Sequence, residues 1–149
     1  WSVLWMVAGG FALGTALNQT GLASTLIQII PFTSWNALVV MIVGGLICYF
    51  LSNFISNSAA ANLVVPILVV VGTAMKDIPS FQSLGGVPSM ITGIAIAASL
   101  AMCLPVSTPP NALAHSTGMI NTKQMATVGI IIGVVGFVLG YLMLVFIGF

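Results

Sequence analysis

Two short polar islands interrupt an otherwise apolar sequence, and their side chains could bind small ions. The first island, residues 52–58, carries Ser52, Ser56, Asn57 and Ser58. If helices begin there, their N-termini direct backbone N–H groups at an anion and favour it by about 0.3–2 kcal/mol. Carbonyl, hydroxyl and amide oxygens suit a small hard cation such as Na⁺. The alternative interpretation is an ordinary surface loop, where Ser and Asn are common.

The second island, residues 105–111, contains three prolines and cannot continue a helix. Each proline lacks a backbone N–H, and one in a helix interior costs about 3 kcal/mol. The carbonyl groups freed there could line a ligand site, or the segment could be an ordinary interhelical turn. Because no charged residue follows before Lys123, the pattern favours an unwound ligand-binding segment over a water-exposed turn.

Other side chains that could do chemistry are few. His115 is the single histidine, and with no acidic residue near it in sequence we interpret it as a hydrogen-bonded structural residue. Cys48 and Cys103 lie in apolar runs, which predicts buried thiols and neither a disulfide nor a metal site. One acidic residue and one histidine give no acid–base pair, so the sequence predicts no enzyme and no organic cofactor.

The composition indicates that these islands lie in a membrane protein. Hydrophobic residues make up 60% of the chain and charged residues 2%, namely Lys76, Asp77 and Lys123. A soluble domain carries about 25% charged residues, so no water-soluble surface can be built from this sequence. The net charge of +1 gives no reason to expect a nucleic-acid partner. We predict an all-α integral membrane protein of the cell (inner) membrane, surrounded by the lipid bilayer.

Apolar runs and their breaks divide the chain into segments that must position the two islands. The expected order is a transmembrane helix plus an in-plane connecting helix at 1–33, a hairpin at 34–74 with its tip at 52–58, a polar loop at 75–87, a broken transmembrane helix at 88–120 unwound at 105–111, and a final transmembrane helix at 121–149. The arms beside the first island, about 13–16 residues each, are shorter than the ~20 that span a bilayer. Paired interrupted segments of this kind are typical of transporter binding sites. Helix packing is predicted for small residues at helical spacing: Gly129, Gly133, Gly136 and Gly140.

Two motifs resemble those of the divalent anion–sodium symporters, the sodium–dicarboxylate and sodium–sulfate carriers. The first is FLSNFISNSAAA at 50–61, followed by Val-Pro-Ile at 65–67, and it is similar to the second hairpin of that family. The second is SLAMCLPVSTPPNAL at 99–113, which resembles the C-terminal signature with its Leu-Pro-Val and Thr-Pro-Pro-Asn. Upstream, 7–13 and 20–23 resemble the family's Gly-Gly helix and the junction after it, so the resemblance covers nearly the whole chain.

The resemblance implies a fold and a site. The fold is half of an inverted-repeat transporter, with a re-entrant helical hairpin and an unwound transmembrane helix, and this chain would be the C-terminal half. The substrate-binding residues that it implies are Ser56, Asn57, Ser58, Thr108 and Pro109. The implied sodium ligands are Ser52, Asn57 and the carbonyls of Ile55 and Ser107. Members of the family move a small anionic substrate by an elevator-like shift against a dimeric scaffold, which implies a homodimer and an N-terminal half as partners.

Several residues depart from the family pattern. Ser58 stands where the family usually has Thr, which keeps the hydroxyl but loses a methyl group, so substrate size or class could differ. Asn53 stands where many members have Glu, Ile55 where many have Thr, and Ser107 replaces a frequent Ala. The ligands assigned through carbonyl groups survive these changes.

The sequence therefore predicts half of a secondary active transporter that moves a small divalent anion, first among them a C4 dicarboxylate, coupled to sodium. One alternative is a sodium-independent anion exchanger of the same fold. Another, from a different class, is a non-transporting helical membrane subunit with a packing role. That subunit would keep its activity in the variants Asn57→Ala and Thr108→Ala, whereas the hairpin hypothesis predicts that both abolish uptake.

Overall fold

The computed structural model describes residues 35–147 without interruption, together with scattered positions between residues 4 and 25. The helices predicted at 1–33 therefore lie mostly outside the described residues. The described part is helical and contains no strand, which confirms the all-α class. From residue 35 onward the helices are α1 (Ala37–Phe54), α2 (Asn57–Ala74), α3 (Pro79–Ser83), α4 (Gly86–Ser99), α5 (Pro109–Ser116) and α6 (Thr122–Ile147).

Three of these helices, α1, α2 and α6, are long and apolar enough to cross a membrane. At 1.5 Å per residue, the 18 residues of α1 and of α2 make helices of about 27 Å, and the 26 residues of α6 make one of about 39 Å. The hydrocarbon core of a bilayer is about 30 Å thick. These lengths, with the apolar composition, identify an integral membrane protein.

Helices α1 and α2 form a hairpin that turns within only two residues, Ile55 and Ser56. The expectation of arms of about 13–16 residues is therefore wrong, because both helices run further towards the tip. Ser52 and Asn53 stay helical because their side chains are buried against the protein. Asn57 begins α2, since Ser56 provides the helix cap.

The open end of the hairpin is closed by the segment predicted as a polar loop, 75–87. This segment contains the short helix α3. Two of its side chains, Met75 and Phe81, are completely buried. A Cβ atom added to Gly72 would meet the side chains of Met90, Val87 and Phe81 within 3.3 Å. The loop therefore packs onto the ends of α2 and α4, at the opposite end of the hairpin from the tip.

Helix α4 packs against both arms of the hairpin, and α6 runs along α4. The four glycines of α6 make the close contacts that their spacing predicted. Added Cβ atoms would meet, in order along α6, the backbone of Cys103, the ring of Tyr49, and the side chains of Leu100 and Ile96. Because α6 lies against the hairpin, α4 and the segment after α4, these elements form one packed body.

Candidate functional site

The hairpin tip presents hydrogen-bond donors to its surface. In α2 the Ala60 N–H donates to the Ser56 carbonyl, so the N–H groups of Asn57 and Ser58 precede the first intrahelical bond. The Ser56 hydroxyl accepts the Ala59 N–H at 3.3 Å and keeps its own proton for another acceptor. Ser56 and Ser58 are exposed, and Asn57 is half-buried. A ligand at the tip would therefore meet N–H and O–H groups.

The second break runs from 100 to 108, between α4 and α5. Thr108 caps α5, and its hydroxyl accepts the Asn111 N–H at 3.4 Å. The sequence placed this break at 105–111, but Pro109 and Pro110 begin α5, because a missing N–H costs nothing in the first turn of a helix. These prolines have no backbone N–H, and the N–H of Asn111 is already bonded to the Thr108 hydroxyl. The second break therefore offers fewer backbone donors than the tip.

Side chains replace the helical hydrogen bonds that the unwound segment lacks. The Nδ2 of Asn111 lies 3.1 Å from the Met102 carbonyl, 3.4 Å from the Leu104 carbonyl and 3.3 Å from the Ser107 hydroxyl. The Ser107 hydroxyl donates to the Leu104 carbonyl at 2.7 Å. Ser107 is buried with its hydroxyl committed to these bonds, so its carbonyl oxygen is the better candidate for binding an ion.

Asn53 joins the hairpin to the unwound segment. Its Oδ1 accepts the Cys103 N–H at 3.0 Å, and its Nδ2 donates to the Tyr49 carbonyl at 2.9 Å. The Tyr49 hydroxyl also lies 3.5 Å from the Cys103 sulfur. The two polar islands of the sequence therefore meet in space. Among the described hydrogen bonds, this link runs through Asn53 and Tyr49, and none joins residues 56–58 directly to Thr108 or Pro109.

Two buried oxygens of the tip have no hydrogen-bond partner among the described residues, Ser52 Oγ and Asn57 Oδ1. The Cys48 thiol lies beside Ser52, but a thiol is a weak partner and the contact does not meet hydrogen-bond geometry. Helical hydroxyls such as those of Thr73 and Ser99 instead donate to a carbonyl one turn earlier. An unsatisfied buried polar group costs about 1–3 kcal/mol, so these oxygens are candidate ion ligands.

The site carries no formal charge of its own. Lys76 and Asp77 follow α2, at the far end of the hairpin from the tip, and Lys123 lies in the first turn of α6. An anion here would be held by neutral donors and by the N-terminus of α2. A cation would be held by neutral oxygens, since no cluster of three His, Cys, Asp or Glu occurs among the described residues. Oppositely charged ions bound side by side would stabilise each other.

The predicted site residues differ in how far they reach the surface. Those assigned to the substrate are exposed (Ser56, Ser58, Pro109) or half-buried (Asn57, Thr108), whereas those assigned to sodium are buried (Ser52, Ser107) or half-buried (Ile55, Asn57). This gradient places the hydroxyl groups of Ser56 and Ser58 at the surface and the oxygens of Ser52 and Ser107 deeper in the protein. Asn57 belongs to both sets and lies between them.

A cleft of about 580 Å³ opens beside the unwound segment, between α5 and the start of α6. Its lining is mostly apolar and includes Met102, Met119 and Met125, with the amides of Asn111 and Gln124 among them. The donors of the hairpin tip do not line it. An apolar cleft does not suit a doubly charged anion, so the tip is the better candidate site.

Three residues that organise the site were given no such role by the sequence analysis: Asn53, Asn111 and Gly129. The available signal for the two asparagines was an amide side chain in an uncharged apolar region, within about one helical turn of a break. Gly129 was included only in a packing stripe, yet its added Cβ would lie 2.7 Å from Cys103 Cα and 2.8 Å from the Met102 carbonyl oxygen. Its small size lets α6 contact the unwound backbone directly.

The remaining candidates have structural roles. The Nε2 of His115 lies 3.0 Å from Thr122 Oγ1, which joins α5 to α6 and agrees with the structural role predicted for this histidine. Cys48 and Cys103 are free and buried, as predicted. Cys103 contributes to the site through its backbone N–H.

Comparison with known proteins covers almost the whole chain. Residues 1–148 match the family model described as the sodium:sulfate symporter transmembrane region. The chain is 35% identical over 130 residues to the sodium-dependent dicarboxylate transporter SdcS of Staphylococcus saprophyticus, an alignment covering 87% of this chain and 24% of that protein. It is 30% identical over 131 residues to the sodium-dependent low-affinity dicarboxylate transporter 1 of Caenorhabditis elegans, covering 87% and 21%.

A third relative is the protein I'm not dead yet of Drosophila melanogaster, 34% identical over 136 residues, which cover 87% of this chain and 21% of that protein. The chain thus spans less than a quarter of the length of these relatives.

Proposed function

The chain belongs to the sodium:sulfate symporter transmembrane family, and from that premise we propose that it is part of the C-terminal half of a carrier, and not an enzyme. The carrier moves a small divalent anion across the cell membrane, coupled to Na⁺. The observation that carries the proposal is the contact between the hairpin tip and the unwound segment. It brings surface donors and unpartnered buried oxygens together in one uncharged region.

For sodium, the proposed ligands are the side-chain oxygens of Ser52 and Asn57 and the carbonyl oxygens of Ile55 and Ser107. The two side-chain oxygens fit this role because they are buried without a hydrogen-bond partner. The Ile55 carbonyl follows the C-terminus of α1, where carbonyl groups have no intrahelical partner. Na⁺ bound there would supply the positive charge that the protein itself lacks at the site.

For the anion, the proposed contacts are Ser56, Asn57, Ser58, Thr108 and Pro109. Both cap hydroxyls accept an N–H from their own helix and keep a proton to donate. A C4 dicarboxylate is the proposed substrate, because relatives 35% and 30% identical are sodium-dependent dicarboxylate transporters. Sulfate, which carries the same double charge, and tricarboxylates, which have a third carboxyl group, are alternatives to be tested.

We also propose that the hairpin is re-entrant, with its tip inside the membrane. Helix α4 has 14 residues and is about 21 Å long, too short to cross a hydrocarbon core of about 30 Å. The break that follows α4 therefore lies at membrane depth, and Asn53 ties the tip to that break. Gly129, which lies about 10 Å along α6 from its first residue, contacts the backbone of Cys103. This contact also supports a position of the second break inside the membrane.

Transport by an elevator-type shift of this packed body is the proposed mechanism. The contacts of α4 with both hairpin arms, and of the α6 glycines with α4 and the unwound segment, favour movement of these elements as one unit. The N-terminal half, which would supply the inverted repeat, and a second copy in a homodimer would form the scaffold against which the body moves.

The decisive experiment is uptake of labelled succinate by the full-length protein in liposomes, with and without an inward Na⁺ gradient. Uptake that requires Na⁺ is the expected result. Equal uptake when choline replaces Na⁺ would identify an exchanger of the same fold. If succinate is not taken up, sulfate and citrate are the next substrates, and failure with all three would favour a non-transporting subunit.

A further inference from the structure

Asn53 has a position that the proposed binding residues do not have. It lies in the last turn of α1, directly after Ser52, and only 7% of its surface is exposed. Both polar atoms of its side chain are engaged, Oδ1 with the Cys103 N–H and Nδ2 with the Tyr49 carbonyl. The side chain of Asn53 is therefore fixed by a hydrogen bond to its own helix and accepts a second one from the unwound segment.

On the side of the hairpin, the backbone that Asn53 holds has little other support. The segment 100–108 lacks a run of helical hydrogen bonds. Asn111, just beyond this segment in α5, stabilises it by donating to the Met102 and Leu104 carbonyls. From the hairpin side, the further described contact is that between the Tyr49 hydroxyl and the Cys103 sulfur, at 3.5 Å. A sulfur contact is weak, so the amide of Asn53 is the principal hydrogen-bonded link across the two breaks.

We propose that Asn53 is a positioning residue that sets the distance between the hairpin tip and the unwound segment. By accepting the Cys103 N–H it fixes the segment that leads to Ser107 and Thr108. This inference rests on the proposed function, in which Ser52 and the Ser107 carbonyl bind one Na⁺. Asn53 itself touches neither ion.

The chemistry of the link requires an acceptor aimed at the Cys103 N–H. The amide of Asn supplies that acceptor and, on its other atom, a donor for the Tyr49 carbonyl. Asp has the same shape and keeps the acceptor, and because burial favours its protonated form it also keeps a donor for the Tyr49 carbonyl, whereas Leu has a similar size and provides neither group. Comparing Asn53→Asp with Asn53→Leu therefore separates loss of the link from loss of volume.

Cys103 provides a reporter at the point where the link is made. In the full-length protein with its other cysteines replaced, the rate at which N-ethylmaleimide labels Cys103 measures opening of the segment. Losing a buried hydrogen bond should make Asn53→Leu label about tenfold faster than the parent. Asn53→Asp should label within about threefold of the parent, because it keeps the acceptor.

Uptake kinetics distinguish positioning from general destabilisation. In Asn53→Leu the Na⁺ concentration for half-maximal uptake and the substrate KM should both rise about tenfold, with a much smaller change in maximal rate. The matched control is Asn36→Ala, which removes the cap of the same helix at its other end. It should leave the Cys103 labelling rate, the Na⁺ dependence and the KM unchanged.

A measurement on the unsubstituted protein tests the proposal even if the Asn53 variants misfold. Amide hydrogen exchange in the unsubstituted full-length protein should be as slow at Cys103 as within α4, although Cys103 is outside any helix. Rapid exchange at Cys103, or equal labelling of Asn53→Leu and the parent, would overturn the proposal. Because exchange and labelling need no substrate, they decide the role of Asn53 even if the full-length protein transports no dicarboxylate.

Discussion

The two helix breaks of this protein meet at one place but are built differently. The hairpin tip consists of two residues, and the helices on either side of it run up to the turn. The second break leaves residues 100–108 outside any helix and depends on the amides of Asn53 and Asn111 for its hydrogen bonds. The tip leaves the first N–H groups of α2 open to a ligand, whereas the helix after the second break begins with prolines, which have none.

This difference divides the chemistry of the site. The tip provides N–H groups, hydroxyls and the two unpartnered oxygens. The unwound segment begins its next helix with two prolines, so its contribution is a capping hydroxyl and carbonyl oxygens. An anion should therefore depend more on the tip than on Thr108 and Pro109 of the second break, whereas a cation should depend on both breaks together. The variants below test that division, from the largest expected effect to the smallest.

Asn57→Ala should have the largest effect, because Asn57 is assigned to both ions. Its Oδ1 has no hydrogen-bond partner in the described structure, and Ala is a better helix former, so the amount of protein in the membrane should not fall. Succinate uptake in liposomes should drop by at least about 100-fold, as expected when two ions lose a ligand.

Asn121→Ala is the matched control for Asn57→Ala, and it should keep the succinate uptake of the parent. Asn121 accepts the Gln124 N–H at the start of α6, away from the tip, and its removal costs only a helix cap of about 1 kcal/mol. Full uptake by Asn57→Ala would contradict the assignment of the tip to binding.

Gly129→Ala should disturb the second break and leave the tip intact. Its new Cβ would lie within 2.9 Å of backbone atoms of Met102 and Cys103, which cannot rotate away, and overpacking of this kind costs about 1–3 kcal/mol. Thermal unfolding of the purified protein in detergent should show a lower midpoint. Gly136→Ala is the control, because its Cβ would meet the end of the Leu100 side chain, which can move. Equal midpoints for the two variants would contradict close packing of α6 on the unwound segment.

Ser52→Ala should separate the two ions. The Ser52 hydroxyl has no protein partner to lose, so stability should be unchanged, while removal of one cation ligand should raise the half-saturating Na⁺ concentration about tenfold. At saturating Na⁺ the substrate KM should return close to the parent value. Ser99→Ala, which removes a hydroxyl bonded to the Ala95 carbonyl, is the control. An unchanged Na⁺ dependence in Ser52→Ala would remove this residue from the cation site.

Several features of the two breaks and of the helices around them can be predicted from the sequence, because they follow from its composition and from the spacing of its residues. The apolar runs predict the helices, the prolines predict the second break, and the glycine spacing predicts the packed face of α6. The family resemblance adds the candidate ligands, of which Ser52 and Asn57 have unpartnered oxygens in the structure.

The bounds of the breaks and the link between them could not be predicted. Ser52 and Asn53 are polar and suggest a loop, but they remain helical because their side chains face the protein interior. The bond from Asn53 to Cys103 joins residues 50 positions apart, and no local pattern encodes such a contact. Pro109 illustrates the opposite case, since a proline after a capping Thr is also the signature of a helix start.

Pro109→Ala should have the smallest effect and tests the comparison most directly. It gives the start of α5 a backbone N–H in its first turn, a group that the hairpin tip already has in Asn57. The loss of proline should cost only about 0.4–1 kcal/mol of stability. If the anion depends on the tip, succinate KM should change by less than about threefold, since no existing donor is removed. A tenfold lower KM would mean that the new N–H at the start of α5 binds the anion, and the second break would then supply backbone donors to the anion as the tip does.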